Sequence, residues 1–300
     1  MKVLITGATG LVGSELVKQC LDEGISVHYL TTRKNKIEDL PNYSGFYWNP
    51  DKNEIDKAAF EGVSVIIHLA GATIAKRWTS RYKKEILNSR TQTAGLLFNT
   101  LKSENHSITH FISSSGISIY PNSEINLYNE ESVETDASFL AEVVMAWEEA
   151  GNQFRELGMD VALIRTGMVL AVKEGVLPKL VKIIKLGLGA PIGNGMQWQS
   201  WIHIEDIAGI FRFVLKNELE GTYNAVAPNP VTNAKLTKYL ANFLDAPLWL
   251  PNVPAFAINL MLGEMSVLAL EGQLVSSKKI EESGYHFRFP NLELALKDLL

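Results

Sequence analysis

A glycine turn between a strand and a helix, at the very start of the chain, constrains this sequence most. Residues 3–5, Val-Leu-Ile, form an apolar run of strand character. Residues 11–23 show helical spacing, with Leu16, Val17 and Leu21 on one face. Between them runs Gly7-Ala8-Thr9-Gly10-Leu11-Val12-Gly13. In such a turn the first glycine permits a tight bend. The second lets the backbone approach a pyrophosphate, and the third lets the helix close on the strand. The phosphates then rest on the helix N-terminus, where backbone N–H groups and the helix dipole attract anions. A glycine triplet alone is weak evidence, but directly after a strand and opening a helix it stands in the context the motif requires. Gly7, Thr9, Gly10, Leu11, Val12 and Gly13 are therefore the expected dinucleotide contacts.

The rest of the chain repeats this alternation. Strand-like runs fall at residues 27–30, 46–48, 63–69, 111–114 and 161–164, and helical stretches at 79–102 and 137–157. The run VSVIIHL at 63–69 is almost unbroken, as in a strand buried on both faces. Strands alternating with helices make right-handed βαβ crossovers and a parallel sheet. After about Gly167 the texture changes, and prolines and glycines crowd the chain. Helical patterns persist there at 205–216, 233–244 and 292–300. The expected fold is α/β: a Rossmann-like doubly wound parallel sheet with a smaller C-terminal α+β cap. Residues 1–170 would form the nucleotide-binding domain, with returns to it from 200–227. Residues 171–300 would form the cap.

Nucleotide choice is legible after the second strand. An acidic residue there would accept a bond from the ribose 2′-hydroxyl of NAD. The sequence instead reads Thr31-Thr32-Arg33-Lys34, with Lys36 nearby. A guanidinium there pairs with a 2′-phosphate, which predicts NADP(H). A solvated Arg-Lys pair is the alternative.

Composition excludes other classes. Lys+Arg number 28 against Asp+Glu 33, a net charge of −5, so nucleic acid is not the expected partner. A single cysteine, Cys20, leaves no disulfide framework and no multi-cysteine metal site. His106 and His110 lie four apart but lack the glutamate and helix of a zinc-protease motif, so no metal is expected. The apolar part of residues 1–7 is too short for a signal peptide. The apolar stretch 253–275 is broken by Asn259, Glu264 and Glu271, short of the ~20 apolar residues a membrane span needs. A cytoplasmic protein without a membrane partner is expected. Its substrate would be a small molecule, with a homodimer left open.

The glycine motif, His68-Leu69-Ala70-Gly71 and Ser113-Ser114-Ser115 resemble the short-chain dehydrogenase/reductase superfamily, in its extended, epimerase-like branch. That resemblance implies a Ser/Thr and a Tyr-x-x-x-Lys pair. Yet none of the nine tyrosines has lysine four residues on. Phe139 and Val143 stand where the pair belongs, and neither carries a transferable proton. Several segments are similar to one atypical group, the epimerase family proteins. They include Ile74-Ala75-Lys76-Arg77-Trp78, Leu87-Asn88-Ser89-Arg90, Gln197-Trp198-Gln199-Ser200-Trp201 and Leu270-Glu271-Gly272-Gln273. The group carries a C-terminal segment of unknown role, here about 248–298. The resemblance implies that Thr32, Arg33, Leu69, Ala70, Gly71, Glu85, Arg90, Ser114 and Met168 lie at the cofactor. Arg90 would neutralise a phosphate, or else join an ion pair on a helix surface.

Two hydroxyls remain for chemistry. Ser115 matches the usual Ser/Thr position and would bond a substrate oxygen, or else a nearby backbone group. Tyr120 is the one tyrosine placed to replace the missing acid, or else a ring packed under its loop. Gln197, Trp198, Ser200 and Trp201 form a polar-aromatic patch that reads as substrate wall or as inter-domain packing. Two functions follow: an NADP(H)-dependent oxidoreductase or epimerase, or a catalytically silent NADP(H)-binding redox sensor or partner-binding module.

Overall fold

The computed structural model describes residues 1–300. Its first half runs β1 (Lys2–Thr6), α1 (Leu11–Asp22), β2 (Ser26–Thr31), β3 (Tyr43–Asn49), β4 (Val65–His68), α2 (Ser80–Ser103), β5 (His110–Gly116), α3 (Phe139–Asn152) and β6 (Asp160–Thr166). Then come β7 (Met168–Leu170), α4 (Leu177–Lys185), β8 (Trp201–His203), α5 (Ile204–Lys216), β9 (Gly221–Ala225), α6 (Asn233–Phe243) and α7 (Ala255–Leu262). The last elements are α8 (Val267–Leu270), α9 (Lys278–Glu282) and α10 (Leu292–Leu299). The main sheet has the order β9-β6-β5-β4-β1-β2-β3, all parallel. The two-residue strand Asp39–Leu40 closes the β3 edge antiparallel. The chain leaves β1 for β2 on one side, then crosses to β4 on the other. A crevice therefore opens at the carboxyl ends of β1 and β4, where doubly wound sheets bind ligands.

Alternation along β1 divides two cores. Val3 and Ile5 point to the layer of α1 and α5, with Leu16, Cys20, Ile207, Phe211 and Val214. Leu4 points the other way, with Ile66, Leu97, Leu101, Phe111 and Phe154. Each fully buried Leu, Ile or Phe contributes roughly 1.5–3 kcal/mol, so these two layers hold the sheet rigid beneath the crevice. A third core joins Leu170, Leu177, Trp201, Leu236, Leu240, Leu292 and Leu296. Asp206 ties it down: its buried carboxylate accepts from the backbone N–H of Arg288 (2.8 Å) and Phe289 (2.9 Å) and from the Tyr285 hydroxyl (3.0 Å).

Local chemistry sets the helix ends. Thr79, Ser138, Thr232 and Asn291 each cap a helix with a side-chain oxygen, worth ~1 kcal/mol apiece. His203 caps α5, its Nδ1 accepting from Glu205 N–H at 3.1 Å. The helix expected over 137–157 is α-helical only to Asn152. It tightens to a 3₁₀ turn over Gln153–Leu157 and stops at Gly158, whose φ is 76°. Helix α4 had no counterpart in the sequence reading, which noted only the crowding of prolines and glycines in this part of the chain, Pro178 among them. The proline sits in the first turn, where its missing N–H costs nothing. No helix is long and apolar enough to cross a membrane.

Candidate cofactor site

The glycine turn is built as its sequence suggests, for three different reasons. Gly7 has φ +71°, and a Cβ there would sit 2.8 Å from the Leu69 carbonyl. A Cβ at Gly13 would sit 2.2 Å from the Gly7 oxygen. The turn itself thus demands both. A Cβ at Gly10 would meet only the Gly7 oxygen, at 3.2 Å. Its openness is on the outer side, over the first turn of α1. That helix begins at Gly10 without a side-chain cap and without an acidic residue in its first turn. Its leading N–H groups have no intrahelical partner. Helices α2, α3, α5, α6 and α10 each spend a side chain on that need, and α1 spends none. Thr9 and Gly10 are exposed, Leu11 and Val12 half-buried.

A buried hydrogen-bond chain fixes the facing loop. Thr6 Oγ1 accepts from the backbone N–H of Leu69 and Ala70, each at 3.1 Å, and lies 2.8 Å from His68 Nδ1. His68 Nε2 lies 3.3 Å from Thr93 Oγ1 on α2. Burial pushes the imidazole down to about 4, so it is neutral at physiological pH. The chain clamps Leu69-Ala70-Gly71 against Gly7.

Arg90 reaches this loop from α2. A Cβ at Gly71 would stand 3.1 Å from the Arg90 Cζ. Nη1 donates to the Ala72 carbonyl (3.2 Å) and the Ile86 carbonyl (2.9 Å), and the guanidinium lies 4.7 Å over the Trp147 ring. Its Nε is buried without a partner, as is Trp147 Nε1. Burial lowers Arg90 to about 10, so the charge persists at neutral pH. No carboxylate pairs with it, so the ion-pair alternative does not hold. A desolvated cation without an acid beside a glycine turn suits a bound anion. Glu85 is exposed on α2, and Met168 is half-buried in β7.

Thr32 and Arg33 are exposed beyond the end of β2, and Arg33 joins no salt bridge. Tyr29 shapes their loop. Its ring passes over Gly45, where a Cβ would lie 2.4 Å from the Tyr29 Cζ. Its hydroxyl donates to the Lys36 carbonyl (2.7 Å) and accepts from Glu38 N–H (2.8 Å). The basic turn therefore hangs on a fixed point.

Ser115 and Tyr120 occupy a buried polar network. Ser115 Oγ donates to Glu148 Oε1 at 2.6 Å. Arg165 grips the same carboxylate with two bonds, Nε to Oε1 (2.8 Å) and Nη2 to Oε2 (2.9 Å). Its Nη1 donates to the Tyr120 hydroxyl (2.8 Å), which donates to Asn224 Oδ1 (2.9 Å). Asn224 Nδ2 continues to the Ser276 carbonyl (3.2 Å). Both expected hydroxyls are thus engaged inside the protein, and burial pushes the Tyr120 phenol up. Strand alternation explains the placement: Ser115 shares the α3 side of β5, whereas Ser114 is half-exposed. Sequence reasoning missed Glu148. The one available signal was Arg165, a cation in an apolar strand that needs a buried partner. Phe139 and Val143 lie in an apolar cluster with Trp78, Ile86 and Leu140, the Phe139 ring edge-on to Trp78 at 5.3 Å.

The side chains of the polar-aromatic patch are bonded within the protein. Gln197 Nε2 donates to the Ile192 and Ala269 carbonyls, at 3.1 and 2.8 Å. Ser200 Oγ donates to the Gln273 carbonyl (2.7 Å) and accepts from Val275 N–H (3.1 Å). Trp201 is fully buried, its Nε1 donating to the Asn229 carbonyl at 3.1 Å. Trp198, half-buried, donates to the Glu124 carbonyl at 2.8 Å. All four side chains thus spend their donors on carbonyls of the protein, Gln197 and Ser200 on the C-terminal segment and Trp198 and Trp201 on Glu124 and Asn229, which leaves none for the substrate oxygen that a substrate wall would bind.

Comparison with known proteins agrees with this architecture. Residues 3–225 match the family model described as NAD dependent epimerase/dehydratase family, and residues 253–299 match a domain of unknown function. An epimerase family protein of Staphylococcus aureus is 35% identical over 300 residues, covering 99% of this chain and 98% of that one. A human epimerase family protein, crystallised with NADPH, superposes with a TM-score of 0.85 at 29% identity, covering 100% of this chain and 99% of that one. A nucleoside-diphosphate sugar epimerase from Corynebacterium glutamicum gives a TM-score of 0.78 at 30% identity, over 100% of this chain and 58% of that one. With a doubly wound sheet, a glycine turn at its switch point and these matches along the whole length, the chain belongs to the NAD dependent epimerase/dehydratase family.

Proposed function

We propose that the chain binds NADP(H) and presents the nicotinamide to an unidentified small polar or sugar-nucleotide-like substrate. The observation that carries this reading is the free Arg33 beside Thr32 at the end of β2, with no carboxylate at the place where NAD recognition needs one. The human relative crystallised with NADPH supports it. The pyrophosphate would lie over Gly10 and the uncapped start of α1, with Thr9, Leu11 and Val12 beside it. Arg33 and Thr32 would take the 2′-phosphate. Leu69, Ala70, Gly71, Arg90, Ser114 and Met168 would line the remainder, with Glu85 at the rim. Bound there, the cofactor would supply the hydride, and these residues would hold and orient it. Residues 1–170 would serve the cofactor and residues 171–300 the substrate side.

A second reading is a catalytically silent NADP(H) binder, a redox sensor or partner-binding module. The apolar surroundings of Phe139 and Val143, together with the internally bonded Ser115 and Tyr120, favour it. Single-turnover oxidation of bound NADPH by a panel of carbonyl compounds separates the two. Turnover supports the first. Tight NADPH binding without turnover, with a protein partner recovered in pull-downs, supports the second. Absence of NADPH binding contradicts both.

A further inference from the structure

Helix α7 is unusual for a helix on the surface of a water-soluble fold. It reads AFAINLML, and only Ile258 is buried. Phe256 is 73% exposed, Leu260 87% and Met261 77%. A second apolar group stands at the end of α4, where Ile183, Leu186 and Leu188 are exposed. The two are physically joined. A Cβ at Gly189 would meet Leu248 at 3.0 Å, and one at Gly187 would lie 3.9 Å from the indole nitrogen of Trp249, itself 68% exposed. Val253 then laces to residues 191–193, donating to the Pro191 carbonyl and accepting from Gly193 N–H, each at 2.8 Å. Two residues later α7 begins.

Charge sets this face apart. The chain is net acidic, yet residues 175–204 and 246–263 contain no Asp or Glu at all. Lys179, Lys182 and Lys185 rise from α4 in this acid-free stretch, all exposed and in no salt bridge. Glu174, Glu205, Asp245 and Glu264 bound the two stretches, Glu205 taken by Arg288 and Glu264 by Lys83. An apolar surface edged with unpaired lysines, built from two stretches that carry no acid of their own, matches an anionic lipid interface. The headgroups meet the ammonium groups, while the Leu, Phe, Met and Trp side chains enter the acyl boundary. A second copy fits poorly, because a two-fold pairing of this face would bring two sets of lysines together with no acid from these stretches to pair them. We propose that α7, the 248–249 corner and the end of α4 form a peripheral docking surface for anionic membranes. This departs from the sequence reading, in which no membrane partner was expected. It does not depend on the cofactor reading.

Vesicle co-sedimentation of the full chain tests it. The probes are phosphatidylcholine vesicles with and without about one quarter phosphatidylglycerol, at low and high salt. Binding to the anionic vesicles only, with a blue shift of tryptophan emission, is expected. The triple variant Lys179→Glu, Lys182→Glu, Lys185→Glu should lower the partition coefficient about a hundredfold, from ~1 kcal/mol per lysine near the surface. Leu260→Ser with Met261→Ser should lower it at least about tenfold. These residues are exposed, so unchanged thermal melting confirms that the variants fold. No binding, equal binding to neutral vesicles, or variants that bind like the parent would each overturn the proposal. So would a concentration-dependent dimer in sedimentation that Leu260→Ser dissociates.

Discussion

Replacing Glu148 by alanine tests the buried network that joins α3, β5 and β6. The Glu148 and Arg165 side chains are each 11% exposed and share two hydrogen bonds, with Ser115 making a third to the same carboxylate. Removing the carboxylate strands the guanidinium with only the Tyr120 hydroxyl at 2.8 Å. Breaking a buried pair from one side costs ~3–5 kcal/mol, because an uncompensated charge stays behind. For a chain of 300 residues that amounts to a fall in melting temperature of roughly 5–8 °C. Replacing both partners with apolar residues, Glu148→Leu with Arg165→Met, leaves no stranded charge and should recover most of the loss. Thermal and urea unfolding of the parent, Glu148→Ala, Glu148→Leu, Arg165→Met and the Glu148→Leu, Arg165→Met double variant supply the comparison and the cycle. A Glu148→Ala protein within about 1 kcal/mol of the parent would show that the pair is not desolvated, and the reasoning would fall with it.

Three further outcomes are expected. Burial holds His68 near pKa 4 in the fold against an ordinary 6.5, so between those values the unfolded chain takes a proton that the fold refuses. The neutral ring then contributes up to ~3 kcal/mol, fully present above pH 6.5 and lost as pH falls toward 4. Urea midpoints should fall more steeply with acid in the parent than in His68→Gln, and parallel profiles would contradict this. Cys20 is fully buried and its thiol is pushed up to about 12 by burial, so native protein at pH 8 should react with a thiol reagent about a hundredfold more slowly than unfolded protein. Tyr29→Phe removes two hydrogen bonds under the basic turn. It should cost ~1–2 kcal/mol of stability and weaken NADPH several-fold with NADH unchanged, as read by fluorescence titration.

Much of the sheet was legible because buried parallel strands are apolar runs and their crossover helices keep a 3.6-residue period. The glycine turn was legible because Gly7 and Gly13 obey backbone sterics that no other residue satisfies. What stayed hidden depends on long-range pairing. Glu148 looks like a solvated helix residue until Arg165 is placed opposite it. Gln197, Ser200 and Trp201 advertise a buried polar patch, but their composition does not say whether the partner is a substrate or the backbone at 269–275. The pairing of Leu127–Tyr128 with Leu274–Val275 gives no local signal, since two residues carry no periodicity. Helix α7 was read only as part of an apolar stretch, and its exposure appears once the chain is folded around it.

Selection of the 2′-phosphate through Arg33 is what the proposed cofactor site turns on. Titration of the parent and of Arg33→Ala with NADPH and with NADH, followed by cofactor fluorescence, tests it most directly. The parent is expected to favour NADPH, and Arg33→Ala to lose about ten- to a hundredfold in NADPH affinity, the worth of a charge-assisted bond to phosphate, while NADH affinity stays within about threefold. Equal losses for the two cofactors, or a parent that prefers NADH, would contradict it.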